Sequence, residues 1–213
     1  MLERLTWFKQ SAYLWRGDGF NVYIDPWGVT TDDRADVILI THAHSDHFST
    51  EDIERIRTDE TQIFAPRDVA QELSGNVTAV EPGAIIQANG LKGEAVPAYN
   101  IVPDRLEFHP KTNGWVGYVL TLGDHTYYHA GDTDHVQELE NVQADVALLP
   151  IGGTYTMDAT QAAGLARAIR PQLAVPMHYG FVVGTPQDAE RFATEANPVA
   201  VQVLTPENPF ERR

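Results

Sequence analysis

Apolar residues fall in short runs along this chain, and most runs are closed by glycine, proline, asparagine or aspartate. Val37-Ile38-Leu39-Ile40, preceded by Asp36, is too short for a helix and rich in β-branched side chains. Such a run reads as a buried strand. The same pattern predicts strands near residues 11–16, 20–25 and 36–41, at Thr61–Ala65, in several pieces from Val77 to Ala98, and at Asp145–Ile151. Pro82-Gly83 and Asn89-Gly90 punctuate the middle group, and Trp115–Leu122 pairs with Thr126–Ala130 as a hairpin across Gly123-Asp124. Another strand leads to His178, and Val199–Leu204 is expected as the last. Helical segments are fewer. Ser49 or Thr50 caps one that runs to about Arg57, with Glu51 and Asp52 in its first turn. Arg67–Leu73 is a short helix halted by Ser74-Gly75-Asn76, Asp158 caps Ala159–Arg170, and a final helix spans Gln187–Ala196. Hairpins first and strand-helix alternation afterwards predict an α/β or α+β fold, as one domain over residues 1–213.

The chemistry gathers where the Val37–Ile40 strand ends. Thr41-His42-Ala43-His44-Ser45-Asp46-His47 packs three of the chain's eight histidines and a carboxylate into one loop. In α/β proteins this is where ligands bind, outside the carboxyl ends of strands. Imidazole nitrogen and carboxylate oxygen are the donors that zinc and related transition metals prefer. A solvated loop that merely contains histidines is the competing reading, and the density of donors argues against it.

This H-x-H-x-D-H spacing after an apolar strand resembles the signature of the metallo-β-lactamase superfamily. The resemblance implies that His42 and His44 serve a first metal, and that Asp46 and His47 serve a second. Two downstream elements match in order. Tyr127-Tyr128-His129-Ala130-Gly131-Asp132-Thr133 resembles the family's strand followed by G-D-[ST], which would make Asp132 the carboxylate bridging both metals. Val175-Pro176-Met177-His178-Tyr179-Gly180 resembles the last family histidine, which would complete site two with His178. Alone, Gly131-Asp132 reads as a turn and His178 as a core histidine.

The histidine that the family places just after the Gly93–Ala98 strand is missing, because Tyr99-Asn100 stands there. His109 is assigned to complete site one, with Asn100 or water as the alternative. His125 and His135 are expected at the surface, and His129 beside the site rather than as a ligand. Asn21–Trp27 resembles the family's early I-D-P element, which suggests that Asp25 supports a metal-binding histidine through its second ring nitrogen. Many members of the resembled family carry Gly-His in the first strand; Gln10-Ser11 occupies that place, so any contribution of that histidine is absent.

Further stretches sharpen the resemblance. Val96–Asn100, His109-Pro110-Lys111 with Trp115–Tyr118, and Leu149–Met157 look like the small stand-alone hydrolases that group with L-ascorbate-6-phosphate lactonases and N-acylphosphatidylethanolamine-hydrolysing phospholipase D enzymes. The resemblance implies an αββα sandwich of two mixed β-sheets flanked by helices. It also implies two divalent metal ions, zinc first, with manganese, iron or nickel accepting the same donors.

A hydroxide shared by two such ions would attack an ester, lactone or phosphodiester. Asp46 and Asp132 would then be catalytic, and His129, Tyr155 or Lys111 would be candidates to stabilise the developing oxyanion. Lys111 could instead bind an anionic part of the substrate. A nuclease or phosphodiesterase acting on nucleic acid, and a non-catalytic metal-binding module, are the alternatives. A di-iron redox protein would usually have an acid in place of His44 and would need a flavin partner domain.

Composition narrows the partners. The formal net charge is −15, and only Lys9, Lys92 and Lys111 are lysines. A polyanion would be repelled, so no nucleic-acid partner is expected, whereas a small anionic substrate can still be drawn to two cations. There are no cysteines, which removes disulfides and thiolate ligands and is compatible with a cytoplasmic setting. No apolar run is long enough for a membrane span. A small-molecule substrate is expected, and homo-oligomerisation is left open.

Overall fold

The computed structural model describes residues 1–17 and 19–211. Its strands form two six-stranded sheets. The first contains β1 (Leu5–Lys9), β2 (Ala12–Arg16), β3 (Asn21–Ile24), β4 (Val37–Leu39), β5 (Gln62–Pro66) and β6 (Asn76–Val80), in chain order. The second contains β7 (Ile85–Ala88), β8 (Leu91–Pro97), β9 (Val116–Leu122), β10 (His125–His129), β11 (Val146–Pro150) and β12 (Leu173–Met177), again side by side in sequence order. Each sheet begins antiparallel and ends parallel. Pairing turns parallel from β3 onward in the first and from β10 onward in the second.

Strand periodicity explains the layering. Val22, Ile24, Val37 and Leu39 face the core between the sheets, together with Tyr118, Leu120, Tyr127 and Leu148. The alternate residues Tyr23, Ile38 and Ile40 face outward onto Ile53 and Ile56 of α1 (Thr50–Ile56) and Val69 of α2 (Arg67–Ala70). Both faces of these strands are therefore buried, which is why they read as continuous apolar runs rather than alternating ones. On the other side, α3 (Ala159–Ile169) buries Ala162, Leu165 and Ala166, and packs beside α4 (Pro186–Glu195). The result is the expected αββα sandwich of two mixed sheets flanked by helices.

The helix ends follow the capping residues. Ser49 Oγ accepts from the Asp52 N–H at 3.2 Å. Asp158 forms a reciprocal box with Gln161: the Gln161 N–H donates to Asp158 Oδ1 at 2.8 Å and the Asp158 N–H to Gln161 Oε1 at 3.1 Å.

Two expectations change. β1 extends the first sheet by a strand not anticipated from the sequence. The predicted strand at Val199–Leu204 reduces to a single parallel bridge, Ala174 with Val201. There the Ala174 N–H donates to Ala200 O and the Gln202 N–H to Ala174 O. The next residue of β12 facing that edge is Pro176, which has no N–H, so the ladder stops. Among the described residues, no helix is long and apolar enough to cross a membrane.

Candidate metal centre

Four strand ends supply the site. The loop after β4 carries His42, His44, Asp46 and His47; Asp132 follows β10; His178 follows β12; His109 lies between β8 and β9. Ligand atoms of His42, His44 and His109 fall within 4.8 Å of one another, as do those of His42, His47 and Asp132, and those of Asp46, His47 and His178. The structure thus brings together all seven residues that the sequence put forward as ligands. Asp132 joins the groups. Its Oδ2 lies 3.3 Å from His109 Nε2 and 3.0 Å from His178 Nε2, while Oδ1 lies 3.3 Å from His47 Nε2.

Local structure aims these side chains. Gly131 adopts φ +61°, which turns the chain abruptly after β10 so that Asp132 points between the two sheets. A Cβ there would also meet Val116 O at 2.9 Å. His178 is itself left-handed at φ +59°, and its N–H donates to Gln10 O at 3.0 Å. The His109 loop is tied down where its carbonyl accepts from the Asn100 N–H at 2.8 Å. The Asn100 amide nitrogen donates to Arg105 O and Tyr155 O, both at 2.8 Å, while its Oδ1 is buried without a hydrogen-bond partner.

Asp25 sits behind the site as the resemblance suggested. It is fully buried, and its Oδ2 lies 2.7 Å from His47 Nδ1. The Thr41 N–H and Oγ1 donate to the same carboxylate at 2.7 and 2.6 Å. A carboxylate on Nδ1 fixes the ring and presents Nε2 to the site. Trp115 walls the first triad, with ring centroids 5.0 Å from both His42 and His44.

His129, one of the candidates for oxyanion stabilisation, is turned to other partners. Its Nε2 bonds the Ser11 carbonyl at 2.9 Å, and its Nδ1 accepts from the Gly131 N–H at 3.2 Å. Both ring nitrogens are therefore committed to holding the backbone on either side of the site. Lys111 pairs with Glu138 at 2.8 Å and with the Tyr99 hydroxyl at 3.1 Å, out in solvent. Tyr155 lies edge-on to Phe108 with ring centroids 4.7 Å apart. His125 and His135 are partly exposed and lie near Asp145 and Glu140, respectively. One residue at the site went unanticipated: the side-chain amide of Gln10 reaches Asp46 and His178, both at 3.0 Å.

The donor set fits divalent cations. His47 Nε2, both ring nitrogens of His109 and Asp132 Oδ1 are buried without a hydrogen-bond partner. Buried polar atoms are nearly always paired, so a cluster of unpaired donors facing one another calls for a cation. The electrostatics agree. Burial alone would discharge His47 and His178, but carboxylates reverse this. Asp132, Asp46 and Asp25 hold the His47 imidazolium well above its usual range, and Asp132 with Asp46 raises His178 to about 9. Burial and the His47 charge push His42 well below its usual range. For Asp46 and Asp132, burial would favour the neutral acid, yet His47 and His178 outweigh it and keep both ionised. His44 and Asp46 are half-buried and mark the opening to solvent.

Comparisons agree with this geometry. The beta-lactamase superfamily domain family matches residues 4–178. A UPF0173 metal-dependent hydrolase of Methanopyrus kandleri is 32% identical over 98% of this chain and 100% of its own length. One from Thermoplasma acidophilum is 35% identical over 82% of this chain and 79% of its own. Among solved structures, Igni18, a metallo hydrolase from Ignicoccus hospitalis, superposes with a TM-score of 0.75 at 28% identity, covering 95% of this chain and 94% of that one. With its strand-end histidines and aspartates converging on one metal-binding cluster, the chain belongs to the UPF0173 metal-dependent hydrolases of the metallo-β-lactamase superfamily.

Proposed function

We propose that this protein hydrolyses a small ester, lactone or phosphodiester with two divalent cations, zinc foremost. The observation that carries the binuclear reading is Asp132. A single carboxylate faces His109 of one donor group and His47 and His178 of the other, at 3.0–3.3 Å. Divalent cations held there would supply an activated water and a Lewis acid for the substrate's carbonyl or phosphoryl oxygen. His42, His44 and His109 would hold one, Asp46, His47 and His178 the other, with Asp132 fixing their separation.

The protein's own groups do the rest. Asp46, partly exposed beside the opening, would hold the attacking water in place by hydrogen bond. Trp115 excludes water behind His42 and His44, which strengthens every charge interaction at the site. Phe108 and Tyr155 form an apolar edge beside His109, with exposed Leu106 in the same loop. That edge supports a substrate with an apolar portion next to the scissile bond. A cytoplasmic setting and a small-molecule substrate belong to the same proposal. A nucleic-acid substrate is the second reading, and the net charge of −15 weighs against it.

A panel of chromogenic phosphodiesters, aryl esters and lactones, assayed on metal-repleted protein, tests the proposal. Turnover that falls at least ~100-fold in His44→Ala and Asp132→Ala is expected, since each group acts where charge develops. Full activity in His44→Ala would remove the site from the reaction. Activity on oligonucleotides alone would favour the second reading.

A further inference from the structure

The turn between β1 and β2 consists of Gln10 and Ser11, since Lys9 pairs with Ala12. Gln10 is left-handed at φ +52°, a conformation that strains an L-residue and that glycine adopts freely. It is nonetheless completely buried. Its backbone is pinned, because its carbonyl accepts from Trp7 Nε1 at 2.9 Å and from the His178 N–H at 3.0 Å. A strained, buried glutamine in a turn suited to glycine points to a use for its side chain.

That side chain ends at the second donor group. One end of the amide lies 3.0 Å from Asp46 Oδ2 and 3.0 Å from His178 Nε2. The other end, Oε1, is buried without a partner. Neighbouring donors of an octahedral cation with bonds of ~2.1 Å are about 3 Å apart, which is the spacing seen here. When His178 commits its Nε2 lone pair to a cation, it can no longer accept from an amide N–H. The two ends of a carboxamide are nearly isosteric, and a half-turn brings the oxygen to the same point.

We infer that Gln10 supplies an amide-oxygen ligand to the cation held by Asp46, His47 and His178. This goes beyond the proposed function but rests on its two-cation reading. An added neutral oxygen favours six-coordinate manganese or iron at this position over tetrahedral zinc.

The test is titration of metal-free protein with Mn2+, counting equivalents and their affinities against a chromogenic chelator. Wild type is compared with Gln10→Gly, which removes the amide and relieves the turn, and with Gln10→Glu, which keeps an oxygen donor but cannot donate an N–H. Gln10→Gly should weaken one equivalent at least ~10-fold, leave the other unchanged, and melt no lower than wild type when metal-free. Gln10→Glu should retain both equivalents. Unchanged affinity in Gln10→Gly overturns the inference. Equal weakening in Gln10→Gly and Gln10→Glu overturns it too, because the amide would then serve as a donor to Asp46. A wild type that takes up only one equivalent would instead overturn the two-cation reading itself.

Discussion

Asp25 shows how one residue governs the site without touching a substrate. Its carboxylate faces the His47 ring and the Thr41 N–H and hydroxyl, all in a dry environment. Asp25→Asn keeps the shape and tolerates the left-handed backbone at φ +47°, but it removes the carboxylate on His47 Nδ1 and leaves only Asp132 and Asp46 to balance the imidazolium. Unfolding of the metal-free variant in urea should show a loss of about 3 kcal/mol, the usual result of breaking a buried pair. Metal affinity should fall ~10–100-fold. The histidines make a second prediction. The folded state holds His178 at about 9 against an ordinary 6.5, so the stability it contributes is complete below pH 6.5 and disappears as pH rises to 9. Asp46 and Asp132 are depressed from 3.8, so their contribution is complete above that value and is lost in stronger acid. Metal-free protein should therefore have a higher urea midpoint at pH 6.5 than at pH 9. Metal uptake should run the opposite way, tightening toward pH 9 with release of protons. Equal midpoints at the two pH values would contradict this charge assignment.

At the scale of elements, the strand ends do the positioning, and Gly131 is the sharpest case. Gly131→Ala adds a Cβ in a left-handed backbone, 2.9 Å from Val116 O and 3.1 Å from Thr41 Cβ. Backbone cannot yield cheaply, so the turn and Asp132 must shift. The expected outcome is a melting temperature lower by several degrees together with at least ~10-fold weaker metal binding, read by calorimetry and chelator competition. Much of this level was legible beforehand, because buried strands such as Val37–Leu39 write themselves as apolar runs and the helix caps at Ser49 and Asp158 are local signals. The failures are non-local. Leu5–Lys9 is half polar and becomes a strand only because β2 lies beside it. Val199–Leu204 has strand composition, but its partner edge is interrupted by Pro176. The role of Gln10 is not legible locally, because its closeness to His178 is set by a contact across 168 residues.

Across the whole molecule, the cluster ties two sheets together. His42, His44, Asp46 and His47 hang from the first sheet, whereas His109, Asp132 and His178 hang from the second or its loops. Cations shared by these donors cross-link the sandwich. Protein holding metal at ~1,000 times its Kd should gain about 4 kcal/mol, so chelation should lower Tm by roughly 10 °C. The sequence revealed this convergence through motif order alone. His109 could be assigned only as the histidine of that interval, on a loop long enough to fold back, because residues 99–114 have no periodicity to read.

The central claim is that one chain holds two cations around Asp132. Elemental mass spectrometry of protein purified without chelator, repleted and desalted, measures it most directly. Two equivalents per chain are predicted, falling toward one in His109→Ala. One equivalent or fewer in the wild type would contradict the account.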